Sequence, residues 1–251
     1  SGDYCADLTD VMKEEGLYDQ MDKSVLDILS RDGKLYCYPQ QASVLGIVYN
    51  ADIFKQAGLM NEDGTPQYPQ TWDEFAETAA KIKEKTGKNG FVLATSNKSG
   101  GWLFTNIAWS YGTEFVKKDS NGKWKATFDS KECEKALEFV RDLKWKYSAL
   151  PADILINGQD MLNSFGAGNS AMMIYAPAAA ANYVTLYGFK AENFGSFPIP
   201  AGPVRRSALL GGSIWYASKS STKDQIKAGI DWLKFRGFAP DADEEQLKSI
   251  E

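Results

Sequence analysis

The stretch GKLYCYPQQASVLGIVYNADIF, residues 33–54, decides how this chain is read. Two short runs rich in aromatic and β-branched residues, 35–38 and 44–49, have the signature of strands, and the polar segment Pro39-Gln40-Gln41-Ala42-Ser43 breaks between them. Asn50 then stands where an N-cap is needed, its side-chain oxygen able to accept the free amides of a helix over 51–57 that Gly58 closes. A strand that feeds directly into a capped helix points to an α/β chain.

The same alternation continues outward from that stretch. Upstream, Thr9 can cap a helical pattern in which Val11, Met12, Leu17, Val25, Leu26 and Leu29 are apolar, until Arg31-Asp32-Gly33 stops it. Downstream, Thr71-Trp72-Asp73-Glu74 is a capping box in which Thr71 and Glu74 satisfy each other's amides, opening a helix that ends at Gly87. A strand over 91–94, an apolar helix over 102–111 and a hairpin turn at Asp119-Ser120-Asn121-Gly122 follow. Asp129 or Ser130 caps a long helix through Lys146, and a short helix ends at Phe165. Next come a strand over 171–175, a helix opened by Pro177, strands over 194–199 and 209–217, and a last amphipathic helix capped by Ser221. Strands separated by helices predict an α/β class with sheets at least partly parallel. The charged tail, 241–251, is expected to be marginal in order.

Composition closes off much chemistry. With 251 residues, 43% hydrophobic and 24% charged, the chain is of ordinary globular type, and at this length it can bury roughly 70–75% of its unfolded surface. The 28 basic against 33 acidic side chains give a net charge of −5, which argues against a nucleic-acid partner needing a basic face. There is no His, so Ser-His-Asp and Cys-His triads and nearly every catalytic zinc site are excluded. Cys5, Cys37 and Cys133 are odd in number and lack C-x-x-C spacing, and read as three small, mostly buried thiols rather than a disulfide framework. The nearly apolar stretch 171–181 contains Pro177 and is much shorter than the ~20 residues of a membrane span. No metal or cofactor site is expected.

Several motifs fail on context. Gly166-Ala167-Gly168-Asn169-Ser170-Ala171 matches a loose dinucleotide fingerprint, but a helix precedes it and a strand follows, the reverse of what pyrophosphate binding needs, so it reads as a helix stop. Asp119-Ser120-Asn121-Gly122 and the acidic run 241–245 lack the ligand spacing of a calcium loop. The aromatic content is more informative: 7 Trp, 12 Tyr and 13 Phe supply flat apolar faces of the kind that stack on sugar rings. Trp102 after Ser99-Gly100-Gly101, and Trp215 after Gly211-Gly212-Ser213, are the two that stand beside glycine-rich polar breaks where a cleft can form.

The order of several segments resembles the extracellular solute-binding proteins of bacterial carbohydrate ABC transporters, the family that includes maltose-binding protein. They are residues 33–39, 48–59, 69–75 and 165–172, Phe197-Pro198-Ile199-Pro200, and Gly211-Gly212 before the last helix. The resemblance implies a type II periplasmic-binding-protein fold, two α/β lobes joined by crossing strands with a ligand in the cleft. On it, 39–45 and 198–203 are the crossings, 42–197 is an essentially complete C-terminal lobe, and 1–41 with 198–251 is a partial N-terminal lobe. The family's opening segments and closing helices have no counterpart here, which makes the chain an expected fragment of a longer, lipid-anchored extracellular or periplasmic protein.

Carried over residue by residue, the resemblance implies ligand contacts from Gln40, Gln41 and Ser43 at the first crossing. It implies Trp102 as an aromatic platform with Asn106 one turn on, and Tyr175 with Asn182 and Tyr183 on a further cleft wall. Gly211, Gly212, Ser213 and Trp215 would face the ligand from the other lobe. Where the family's maltodextrin binders place a stacking Trp directly after a Pro, this chain has Ala178. The implied function is capture of a carbohydrate, an oligosaccharide by expectation, by a monomer without enzymatic activity, and its delivery to an ABC transporter membrane permease. Two alternatives stay open: a binder of a non-sugar solute such as a polyamine, and a carbohydrate-active enzyme using paired carboxylates.

Overall fold

The computed structural model describes residues 4–179, 185–187 and 189–237. It divides into two compact units, one of Ser1–Ala42 with Gly211–Glu251 and one of Ser43–Leu210.

In the smaller unit the single helix expected before residue 30 is two, α1 (Thr9–Glu14) and α2 (Lys23–Leu29). Gly16, at φ +71°, takes the left-handed conformation that ends α1, and Asp22 starts α2 by accepting the Ser24 amide at 2.8 Å. Thr9 is not the cap; its Oγ1 donates to Asp7 and accepts the Leu35 amide. Asp32 (φ +52°) and Gly33 (φ +75°) reverse β1 (Ser30–Arg31) onto β2 (Lys34–Leu35), so the expected helix stop is a hairpin turn of the primed kind. Leu8, Val11, Met12, Leu17, Leu35 and Tyr38 form the core with Ile230 and Leu233 of the last helix, which we number α8 (Lys223–Phe235). Thr222, one residue after the expected Ser221, caps α8 in a capping box with Gln225.

The larger unit is built on β4 (Gly46–Asn50), buried along its whole length. It lies between β7 (Met172–Tyr175) and β8 (Phe194–Phe197), antiparallel to both, with Ile47 opposite Ile174 and Phe197. Isolated bridges, Val92 to Met173 among them, are parallel, but β4 takes antiparallel partners on both sides although helices intervene in sequence, so a helix between two strands did not here force a parallel crossover. For the same reason 91–94 is a buried core segment with one bridge, not a strand.

Asn50 caps α3 (Ala51–Gln56) as read, accepting the Asp52 and Ile53 amides. α4 (Trp72–Thr86) presents Trp72, Phe75, Ala76, Ala79 and Ile82 to the core at helical spacing. Its cap is less reciprocal than a capping box: Thr71 Oγ1 accepts the Glu74 amide, but Glu74 accepts from Gln70, one residue further back. Gly90 lies so close under this helix that a Cβ there would fall 2.1 Å from the Ala79 carbonyl oxygen. α5 (Ser99–Ser110), α6 (Lys131–Trp145, capped by Ser130) and α7 (Gly158–Gly166) complete the cover. Gly168, at φ +68° just past α7, bears out the helix-stop reading of the Gly-Ala-Gly motif. β5 (Val116–Lys118) and β6 (Trp124–Ala126) form the expected hairpin.

The chain passes from one unit to the other in β3 (Tyr38–Val44) and β9 (Leu210–Trp215), which pair with each other. The supposed polar break at 39–43 is therefore strand, and Pro39, which has no N–H to donate, is tolerated because a two-stranded sheet consists only of edges. The return lies later than expected, at Leu210 rather than 198–203. Trp72 donates its amide to Ala201, Arg205 its Nε–H to the Trp109 carbonyl, and Leu209 its amide to Asn106, tying 198–210 to the larger unit.

Candidate functional site

Seven of the expected ligand residues fall on the paired strands. Gln40, Gln41 and Ser43 lie on β3, and Gly211, Gly212, Ser213 and Trp215 lie on β9. Gln40 and Ser43 are half-buried, whereas Gly212 and Ser213 are exposed, so β9 offers bare backbone and one hydroxyl to solvent. The Trp215 ring meets Trp232 edge-on at 5.2 Å and packs on the smaller unit's core, and its Nε1 is buried with no hydrogen-bond partner among the described residues.

On the larger unit Trp102 occupies the first turn of α5, a large aromatic left 41% exposed. The turn is shaped by glycine, because a Cβ at Gly100 would meet the Thr95 backbone at 2.9 Å. Lys98, the N-cap, offers no side-chain acceptor to the amides of this turn. Asn97 just before it is exposed and left-handed, at φ +56°. Asn inside the polar run Ser96-Asn97-Lys98-Ser99 is a usual signal for that backbone conformation.

Asn106 faces inward, on the buried side of α5. It is fully buried, its Nδ2 donating to the Leu103 carbonyl at 3.0 Å and its Oδ1 accepting the Leu209 amide at 2.8 Å. One turn along a helix from an exposed residue is a matter of face, and the α5 face that carries Asn106 also carries Leu103, Ile107 and Ser110 into the core. Tyr175 ends β7 half-buried, opposite Gly46, where a Cβ would crowd the Phe197 carbonyl at 3.0 Å. Ala178 is exposed in a short 3-10 turn over Pro177–Ala179. Asn182 and Tyr183 lie outside the described residues, and of Gln41 only the strand placement is described.

The residues so placed are neutral, and they combine hydroxyls, amides, glycine backbone and an indole face. Hydroxyls, amides and an indole face are groups able to stack on or hydrogen-bond a polyhydroxylated molecule. Helices and short strands alternate along the chain, an α/β architecture.

Residues 1–236 match the family of bacterial extracellular solute-binding proteins, and the chain belongs to it. A binding protein of Brucella abortus (strain 2308) is 31% identical over 207 residues, covering 80% of this chain and 47% of that protein. The mannitol-binding protein of Pseudomonas aeruginosa is 27% identical over 230 residues, covering 88% of this chain and 50% of its own. Among solved structures, maltose-bound MalE3 of T. maritima superposes with a TM-score of 0.76 at 26% identity, covering 93% of this chain and 57% of that one. An ABC transporter solute-binding protein of Agrobacterium vitis S4 with bound D-mannitol gives 0.73 at 26% identity, covering 99% and 57%. The chain spans about half the length of the curated relatives it matches. Among the described residues no helix is long and apolar enough to cross a membrane.

Proposed function

We propose that this protein binds a neutral sugar or sugar alcohol outside the cell and delivers it to the membrane permease of an ABC importer, without acting on it chemically. The observation that carries the reading is Trp102, an indole 41% exposed in the glycine-shaped first turn of α5. An exposed ring gains little stability for the fold, and a flat apolar face beside amides free of a side-chain cap suits a sugar's C–H face and its hydroxyls. A relative named for mannitol and structural neighbours holding D-mannitol and maltose support the ligand class. Presentation by a lipid anchor and a monomeric state belong to the same proposal. None of Gln40, Ser43, Trp102, Tyr175, Gly212 or Ser213 is acidic, which favours a neutral ligand over a polyamine, whose ammonium groups need carboxylates.

The test is calorimetry and thermal shift against mannitol, maltose, longer oligosaccharides and spermidine. A neutral polyol or sugar at one hundred times its dissociation constant should stabilise the folded protein by ~2.7 kcal/mol, seen as a rise in Tm. Trp102→Ala should abolish that rise while leaving the unliganded Tm nearly unchanged. Binding of spermidine alone, turnover of a glycan, or an unchanged dissociation constant in Trp102→Ala overturns the reading.

A further inference from the structure

Two of the three cysteines gather at one end of the β3–β9 pair, inside the smaller unit. Cys37 is the residue directly before β3. Cys5 stands opposite Ser218 in an antiparallel bridge, three residues past the end of β9. The Cys5 segment is stitched down on both flanks. Ala6 donates its amide to Ala217 at 2.9 Å and Lys219 donates to Tyr4 at 2.9 Å, while Leu8 donates to the Leu35 carbonyl at 2.8 Å and Leu35 donates back to Thr9 Oγ1 at 2.9 Å. The segment between β2 and β3 that bears Cys37 and the segment that bears Cys5 thus run side by side and are held there by backbone hydrogen bonds. Both cysteines are partly exposed, whereas Cys133 is buried in α6 of the other unit. Burial, and then the charge of Cys5, push the Cys37 thiol up.

We propose that Cys5 and Cys37 close an intramolecular disulfide when the protein meets a small-molecule disulfide, and that Cys133 stays a thiol. One of the two thiolates attacks the oxidant's S–S bond, forming a mixed disulfide and expelling one thiolate; the second cysteine then displaces the other. The pair gives up two protons and two electrons, and the oxidant is reduced to two thiols. An extracellular family is where such a bond persists. The bond would enclose residues 5–37, which hold α1, α2 and the β1–β2 hairpin, in a covalent loop shared with the strand that leads to the larger unit. The odd cysteine count, which argued against a disulfide framework, is then one pair and one core thiol.

The experiment uses the whole chain, incubated in a glutathione redox buffer, quenched by acid, unfolded in denaturant and titrated for thiols. One thiol per chain is expected, with a digest peptide joining Cys5 to Cys37 by mass. Cys133→Ser should leave none, and Cys5→Ser should leave two. Reduction should lower the Tm of the native sequence and leave that of Cys37→Ser unmoved. Three thiols per chain after oxidation, a linkage through Cys133, or only intermolecular dimers overturns the proposal.

Discussion

Asn106 shows how a residue type can mislead until its surroundings are known. Its amide bridges α5 and the segment before β9, donating to Leu103 and accepting from Leu209. Asn106→Ala strands the Leu209 amide and should lower stability by about 2–3 kcal/mol, read from the urea midpoint, with ligand affinity of the folded fraction little changed. Weakened affinity with intact stability would instead make it a ligand contact. Tyr111, at the end of α5, is held neutral to unusually high pH, pushed up to about 12 by burial first and by the charge of Asp73 second. Because the unfolded phenol ionises near 10, the unfolded chain binds fewer protons between the two values, and stability falls as pH rises through that window. Tyr111→Phe should flatten the alkaline limb of a stability–pH profile, and an unchanged limb would show that another group governs it.

At the scale of elements, α1 and α8 are joined by charge across the smaller unit's core. Lys223 and Lys227 both reach Glu14, and Lys234 reaches Glu15. Hydrogen bonding to Lys223, then to Lys227, holds the Glu14 carboxyl below its ordinary range. A carboxylate lowered in the folded state contributes stability above its unfolded pKa and loses it as pH falls through the folded value. The stability difference between the native sequence and Glu14→Gln should therefore be present at neutral pH, disappear as pH falls through the lowered carboxyl pKa, and shrink in high salt, since the partners are exposed. A difference that persists in acid would point to packing rather than charge.

At the scale of the molecule, the two units are unequal. The larger has one continuous core running from β4 through α4, α5, α6 and α7, and its two ends are neighbours, Leu45 donating its amide to the Leu209 carbonyl at 3.1 Å. We expect residues 43–210, expressed alone, to melt cooperatively by circular dichroism, because a cut at joined ends removes no part of that core. A broad, non-cooperative melt would show that the smaller unit supports it.

How much of this was legible beforehand follows the range of the interactions involved. Asn50, Ser130, the Asp119–Gly122 turn and the Gly168 stop act within about four residues, so their side-chain chemistry alone determined helix starts, a hairpin and a helix end. The order of motifs likewise determined the family. Tertiary structure decided what depends on contacts far apart in the chain: that β4 is flanked by antiparallel partners, that 39–43 is strand because β9 pairs with it, and that 198–210 stays with the larger unit. It also decided which side of α5 faces water, leaving Trp102 exposed and Asn106 in the core. Helical spacing places two residues one turn apart, but only the elements packed against the helix, α6 and the segment before β9 among them, determine which of them meets solvent.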